Sequence, residues 1–485
     1  MSIRRTKIVA TVGPACQNVD TLAAMIQAGV NVFRLNMAHG DIQTHTFMVE
    51  QIREAAEQAR RPIGLLADLA GPKLRLGKLT GEGIQCVSGD TLFLRRGREA
   101  SRPNELVSEY ELLLDEIGEG DRIIIGDGTI SLEVIEAKGE EAQLRVIDGG
   151  AIRSRQGLAL PHTRLSIKTL RPADYEHARW AAEMKLDYVS LSFVRSATDI
   201  EELRGHLEDC QATAAIIAKI EKRESIDCLD EIIEAADGIM VARGDLGLEI
   251  DIASTAVVQK KIIARCQAHQ KPVIVATQML ESMHHAKRPT RAEVSDVSNA
   301  ILDGADACML SGETAVGKYP VDTVRMMASI QQEAEPLSPG MDLVSRDDHS
   351  QQMGLTESVL QGAAHIARTI DSKIVAVATK TGSPAIIKSK LRNKTPTLCI
   401  TDSRAIHGQA CLWWGVTPWY VESLDREGEL FQAIHDWNEW THLLGKNDRI
   451  VIVSDRLVYP AGHDSILVYE FSDLPPSNSQ RSESR

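Results

Sequence analysis

The 485-residue sequence predicts an α/β protein: a (β/α)8 TIM barrel carrying an inserted small all-β lobe and followed by a C-terminal α/β domain. Three observations lead to that fold. Short apolar runs alternate with helix-period stretches until eight strands have been counted, the number that closes such a barrel. The gap between the third and fourth runs is far too long for a βα crossover and has a different texture. After a polar stretch that begins near residue 335 and bears Gly and Pro, strand and helix patterns start again.

In chain order the barrel strands are expected at residues 7–12, 31–36, 63–68, 188–193, 215–220, 238–242, 273–276 and 306–310. Helical periodicity fills 19–28, 44–59, 197–210, 226–236, 255–269 and 291–302. Within the long gap, "DTLFLRR", "DRIIIGDGTISLEVIEA" and "EAQLRVIDGG" are β-branched runs broken by Gly and Asp, the pattern of hairpins. The expected organisation is therefore residues 1–71 and 169–337 as the barrel, 72–168 as the inserted lobe and 350–471 as the α/β domain. In that domain strands are expected at 374–379, 397–401, 449–454 and 465–471. Residues 472–485, polar and poor in apolar side chains, are expected to be a disordered tail.

Composition narrows the function. Lys and Arg number 54 against 68 Asp and Glu, a net charge of −14, which argues against nucleic acid as the main partner. A small anion is still a suitable ligand, because a few clustered cations make a local positive site on an acidic protein. No apolar run reaches membrane-spanning length, and the start "MSIRRTKIVATVG" lacks a signal-peptide core. The eight cysteines are scattered with no CxxC pair, so the expectation is reduced thiols in the cytoplasm.

The polar chemistry gathers at the C-terminal ends of the strands, where barrel enzymes assemble their sites: "FRLNMAHG", "LADLAGPKLR", "LSFVR", "IAKIEKRES", "MVARGDLG", "VATQMLES" and "CMLSGET". Lys219 and Glu221 are two apart on one strand, so they share the face that points into the barrel or its mouth. The plain alternative is a buried structural ion pair. Asp245 on the next strand adds a second carboxylate, and two carboxylates with positions left for water suit Mg²⁺, with Mn²⁺ as its substitute. The glycine in "RGDLG" lets backbone N–H groups approach an anion, and Arg34 and Arg75 supply cations at the same mouth. Thr277 and Ser311 are strand-end hydroxyls, whereas Cys308, Met279 and Met283 read most simply as core. These parts permit phosphoryl transfer or enolate chemistry on a small anion, without any P-loop or protein-kinase motif.

Together, "RRTKIVATVGPA", "AGVNVFRLNMAHG", "AKIEKRES", "DGIMVARGDLGLEI", "ATQMLESM" and "RPTRAEVSDVSNAILDGADACMLSGETAVGKYP" resemble the pyruvate kinase family from about Arg5 to Phe471. The resemblance implies transfer of phosphate from phosphoenolpyruvate to ADP, giving pyruvate and ATP in the last step of glycolysis. It implies a catalytic set of Lys219, Arg34 and Thr277, with Glu221 and Asp245 holding Mg²⁺. Arg34, Gly244, Asp245 and Thr277 would bind the substrate, and Asn36, His39, Arg75 and Asp127 the nucleotide. It also implies a homotetramer, and a phosphosugar or AMP effector near "TKTGSPA", residues 379–385.

The sequence departs from the family pattern in three places. Potassium-dependent members resemble "RLNFSHG" and "DTKGPEIRT"; here the segments read "RLNMAHG" and "DLAGPKLRL". Ala38 removes a hydroxyl ligand, and Lys73 replaces a glutamate. Lys73 is therefore expected near Asn36 and Asp68 as a substitute for the monovalent cation, so that K⁺ is not required. Ala173 in "LRPAD" stands where many members carry a lysine, which Arg171 or Lys168 would have to replace. The effector loop lacks its usual Ser-Gly-Arg-Ser. Two other readings use the same parts. One is a Mg²⁺-dependent barrel lyase acting through a pyruvate enolate, and the other a non-catalytic metabolite-binding paralogue.

Overall fold

The computed structural model describes residues 4–126, 128–161, 163–338, 354–425, 427–454 and 465–474. Eight parallel strands close into a barrel: β1 (Lys7–Thr11), β2 (Val32–Asn36), β3 (Gly64–Asp68), β4 (Tyr188–Leu191), β5 (Ala215–Ile220), β6 (Gly238–Ala242), β7 (Val273–Ala276) and β8 (Ala307–Leu310). Each pairs with its neighbour in sequence, and β8 pairs back onto β1.

The period-2 geometry of a strand divides every stave into two faces. Outward residues such as Ile8, Ala10, Phe33, Leu35 and Ala218 pack beneath the surrounding helices. Inward residues Val9, Val32, Leu66, Tyr188, Ile217, Met240, Ile274 and Ala307 form an apolar layer across the axis. Two residues further along, on the same inward face, the chain places Thr11, Arg34, Asp68, Ser190 and Lys219. The barrel is therefore apolar through its middle and polar toward the strands' C-terminal ends.

The stretch between β3 and β4 is a six-stranded mostly antiparallel sheet, in the order Leu158–Ala159, Arg122–Ile125, Ile130–Lys138, Glu141–Asp148, Thr91–Arg96, Glu105–Ser108, beside a two-stranded piece. Its own core includes Leu94, Leu106, Ile123, Ile130, Leu132 and Leu144. At the barrel mouth it comes close: a Cβ on Gly128 would lie 3.2 Å from Leu248 Cδ2.

The C-terminal unit is a five-stranded sheet in the order Val416–Tyr420, Thr397–Thr401, Ile374–Ala378, Arg449–Ser454, Ser465–Glu470, with only the last strand antiparallel. Four of these strands match the sequence expectation. Val416–Tyr420 is a further strand; it contains Pro418 and is tolerated at the sheet edge, where a missing N–H leaves no gap in the ladder. Helices Pro172–Glu183 and Pro320–Ala334 also went unread. Of the expected tail, residues 472–474 join the fold, with Leu474 buried. Residues 475–485 lie outside the described residues.

This unit sits under the strands' N-terminal ends. The apolar layer of the barrel runs on into Leu412, Trp413, Val416 and Val451. Lys7 Nζ donates to Val416 O at 2.5 Å and Tyr188 Oη to Gln409 O at 2.7 Å. Asp306, fully buried just ahead of β8, accepts Lys390 Nζ at 2.5 Å and faces Arg392 Nη2 at 3.2 Å. All eight cysteines are free thiols. Among the described residues, no helix is long and apolar enough to cross a membrane.

Candidate active site

At the C-terminal end of the barrel a cavity of about 350 Å³ is lined by Thr11, Arg34, Asn36, His39, Lys219, Glu221, Asp245, Thr277, Ser311 and Gly312, among others. Its residues come from six of the eight strand ends, so the closure of the barrel brings together side chains that are far apart in sequence.

Asp68 organises the floor. It is buried, and its carboxylate accepts Arg34 Nε at 2.7 Å, a second bond from Arg34 Nη2, and the Ser190 hydroxyl at 2.6 Å. Burial by itself would push this carboxyl up; Arg34 and Lys219 outweigh burial and hold it at about 2. Arg34 is gripped on its far side too, Nη1 donating to Thr11 Oγ1 at 2.9 Å. A guanidinium fixed from both sides loses little entropy when it meets an anion.

Lys219 lies between the two acids. Its ammonium is 2.9 Å from Glu221 Oε1, 3.3 Å from Asp68 Oδ1, and donates to Ser192 Oγ at 2.7 Å. Burial disfavours the charge, but Asp68 and Glu221 more than compensate and raise its proton affinity. Lys219 is thus a permanent cation at neutral pH. The Glu221 carboxyl, whose other oxygen accepts Phe193 N at 2.7 Å, shifts the opposite way from Asp68. Burial raises it, Lys219 opposes, and the nearby Asp245 raises it further. These two carboxylates line one cavity and offer the hard oxygen donors that Mg²⁺ prefers, so together they could hold a divalent cation.

Thr277 has φ of +70° and Gln278 +54°, a left-handed turn that a β-branched residue rarely adopts. Arg243 holds it there, Nη2 donating to Thr277 O at 2.7 Å while Nη1 pairs with Asp296 at 2.7 Å. The turn aims the Thr277 hydroxyl at helix Arg243–Glu249, where it accepts Gly244 N at 2.8 Å and donates to Ala276 O at 2.6 Å. Strain of this kind, locked by neighbours, is concentrated where geometry matters for function.

Several expected residues stand elsewhere. Lys73 bonds Asp245 Oδ1 at 3.0 Å, with no hydrogen bond or ion pair to Asn36 or Asp68 among the described residues; Asp68 is already taken by Arg34, Ser190 and Lys219, and the Lys73 stem lies against Gly157 of the lobe. Arg75 is outside the cavity lining and donates to Arg155 O at 3.2 Å. Asp127 lies outside the described residues. Arg171 is held by Asp174, Nε to Oδ2 at 3.2 Å. Asn36 and His39 line the cavity, the Asn36 side chain accepting Ala38 N at 3.2 Å. In the C-terminal unit, Lys380 of the "TKTGSPA" loop pairs with Asp425 at 2.5 Å and Asp402 at 3.9 Å. The sequence reading passed over Ser190, Ser192 and Thr11, although Ser190 and Ser192 repeat at the inward spacing at the end of β4.

Comparison with known proteins agrees with this architecture. Residues 3–324 match the pyruvate kinase barrel domain and residues 357–468 the pyruvate kinase alpha/beta domain. The chain is 40% identical over 478 residues to pyruvate kinase 2 of Synechocystis sp., covering 96% of this chain and 79% of that one. It is 36% identical to pyruvate kinase of Geobacillus stearothermophilus (97% and 81% covered) and 37% to that of Mycobacterium tuberculosis (89% and 90%).

Proposed function

Because this chain belongs to the pyruvate kinase family, it is a phosphotransferase with phosphoenolpyruvate and ADP as substrates, and we propose the following roles for its residues. The observation that carries them is the Asp68–Lys219–Glu221 chain of charges on the floor of a cavity that Arg34 and Asp245 also line.

Arg34, immobilised by Asp68 and Thr11, binds the phosphate of phosphoenolpyruvate. Lys219, kept protonated by its two acids, faces the charge that spreads over the phosphoryl oxygens and the enolate as transfer proceeds; preorganised charge in a partly dry site is worth several kcal/mol. Thr277 and the first turn of helix Arg243–Glu249, including the Gly244 and Asp245 N–H groups, take the substrate carboxylate. In the described state Gly244 N–H is held by Thr277, so the carboxylate would share or displace that bond. Asn36 and His39 face the nucleotide phosphates, and Arg75 joins them through motion of the lobe; Asp127 is the fourth nucleotide-binding residue of the proposal. Glu221 and Asp245 would hold Mg²⁺, which, once bound, supplies the positive charge that neutralises phosphoryl and carboxylate oxygens, and Mn²⁺ fits the same donors. Closure of the lobe, whose Gly128 already meets Leu248, excludes the water that would otherwise take the phosphoryl group.

We read Lys73 as the built-in replacement for K⁺, acting from Asp245. Ala38 lacks a ligand oxygen, and an ammonium fixed at the mouth repels a second monovalent cation. A phosphosugar or AMP is the proposed effector at the loop ahead of helix Ser383–Lys390, where its phosphate would compete with Asp425 and Asp402 for Lys380. A homotetramer in the cytoplasm completes the proposal; sedimentation checks the first part and fractionation the second.

The test is pyruvate formation from phosphoenolpyruvate and Mg²⁺. Strict dependence on ADP is expected. Turnover without ADP would favour the lyase reading, and binding without turnover the paralogue.

A further inference from the structure

Behind the β7 and β8 ends, outside the catalytic cavity, Glu281, His284 and Glu313 converge. One ligand atom from each lies within 4.8 Å of the others. Glu281 and His284 are i and i+3 on the one-turn 3-10 helix Glu281–His284, a geometry in which side chains three apart eclipse. Glu313 belongs to the short helix Gly312–Ala315 after β8.

Three features suit this cluster to a metal ion. First, His284 Nε2 is buried and has no hydrogen-bond partner among the described residues, although it faces Glu281 Oε1 at 3.5 Å. That separation is long for a hydrogen bond, but about 3.4 Å is the edge of a tetrahedron with metal–ligand bonds near 2.1 Å. Secondly, the ligands are already oriented. Glu313, 1% exposed, accepts Leu280 N at 3.2 Å on one oxygen and Ser311 N at 2.7 Å on the other, which leaves carboxylate lone pairs unused. The turn bearing the other two is pinned by Glu293, which accepts both the Ser282 N–H (2.7 Å) and its hydroxyl (2.6 Å). Such outer partners are how proteins preorganise metal ligands. Thirdly, the remaining closure falls to Glu281, whose side chain is 59% exposed and borders solvent, where an aquo-ion would enter.

We propose that Glu281, His284 and Glu313 form a second divalent-metal site, distinct from the Glu221/Asp245 pair and selective for a zinc-class ion. An imidazole with two carboxylates, leaving a fourth position for water, matches Zn²⁺ and Co²⁺; Mg²⁺ prefers an all-oxygen octahedron. The site abuts the catalytic wall: a Cβ on Gly312, which lines the cavity, would fall 2.5 Å from His284 Nε2. An ion held there would tie the turn after β7 to the turn after β8.

The test is calorimetric titration of Zn²⁺ into the full-length protein with millimolar Mg²⁺ present throughout to fill the catalytic pair. The expected result is one site per chain in the unmodified protein, weakened at least tenfold in His284→Gln and in Glu281→Gln and unchanged in His285→Gln. Co²⁺ in the same protein should give the visible d–d absorption of a four-coordinate ion, lost in His284→Gln. Equal Zn²⁺ affinity in the unmodified and His284→Gln proteins, or six-coordinate Co²⁺ spectra in both, would overturn the proposal and leave Glu281–His284 as a surface ion pair.

Discussion

Replacing Glu221 by Gln separates what the active site does for the reaction from what it does for the fold. The substitution keeps the shape and removes the charge; its single side-chain oxygen can accept Lys219 Nζ or Phe193 N, which bond different oxygens of Glu221, so one of the two bonds is lost. Breaking a buried ion pair usually destabilises by about 3–5 kcal/mol, because the surviving partner is left uncompensated. Here Lys219 keeps Asp68 at 3.3 Å and Ser192 at 2.7 Å, so it is not stranded. Burial and Asp245 also raise the Glu221 carboxyl above its ordinary range. A carboxyl raised on folding contributes stability below its unfolded value and loses it as pH rises, so without metal its charge is a liability at neutral pH. Relief of that charge opposes the loss of one buried hydrogen bond, about 1–3 kcal/mol, so the metal-free variant should lose less stability in urea than the about 3–5 kcal/mol of a broken buried ion pair. Activity should fall by about 10³-fold in kcat/KM, roughly 4 kcal/mol, on losing one of two metal carboxylates. Mg²⁺ at a hundred times its dissociation constant should stabilise the parent by about 2.7 kcal/mol and the variant far less. An active variant, or one that Mg²⁺ stabilises as fully as the parent, would refute the assignment of Glu221 to the metal.

Other outcomes follow from the same geometry. Asp68→Ala leaves Arg34 and Lys219 without their shared acid and should cost about 3–5 kcal/mol in urea unfolding. In the parent, Asp68 is held at about 2, so its contribution is complete above the ordinary carboxylate range and is lost as pH falls toward 2; Asp68→Asn should flatten that acid limb. The parent should turn over within about twofold of the same rate in K⁺ and tetramethylammonium buffers, whereas Lys73→Glu should show at least a tenfold K⁺ requirement. A parent that depends strongly on K⁺ would end the Lys73 reading. Thr277→Val keeps the volume but removes the hydroxyl that Gly244 N bonds, and should raise the KM for phosphoenolpyruvate about tenfold with a smaller change in thermal midpoint.

Much of this molecule is written in local patterns. The barrel staves are short apolar runs bounded by breakers, and two-residue periodicity was enough to put Lys219 and Glu221 on one face before any contact was known. The places that resisted depend on what the chain meets after folding. Pro418 lies in a strand because the edge of a sheet forgives a missing N–H, and edges are not visible in a sequence. Lys73 pairs with Asp245 because Asp68 is already saturated, an outcome set by competition among side chains from four staves. Ser192 and Thr11 are ordinary hydroxyls until Lys219 and Arg34 arrive beside them. The twisted turn at Thr277 has no local signal, since it is Arg243, 34 positions away in sequence, that braces it.

Asp306 and the oily disc above it have a bearing on how such a chain can be rearranged. A barrel severed from its C-terminal unit would have a naked acid and a greasy underside facing water, and its two basic clamps, Lys390 and Arg392, would depart with the other fragment. The two modules are therefore heritable only as a matched set: a chimera that grafts a foreign C-terminal module must bring cations to meet that acid, or neutralise it in the same step.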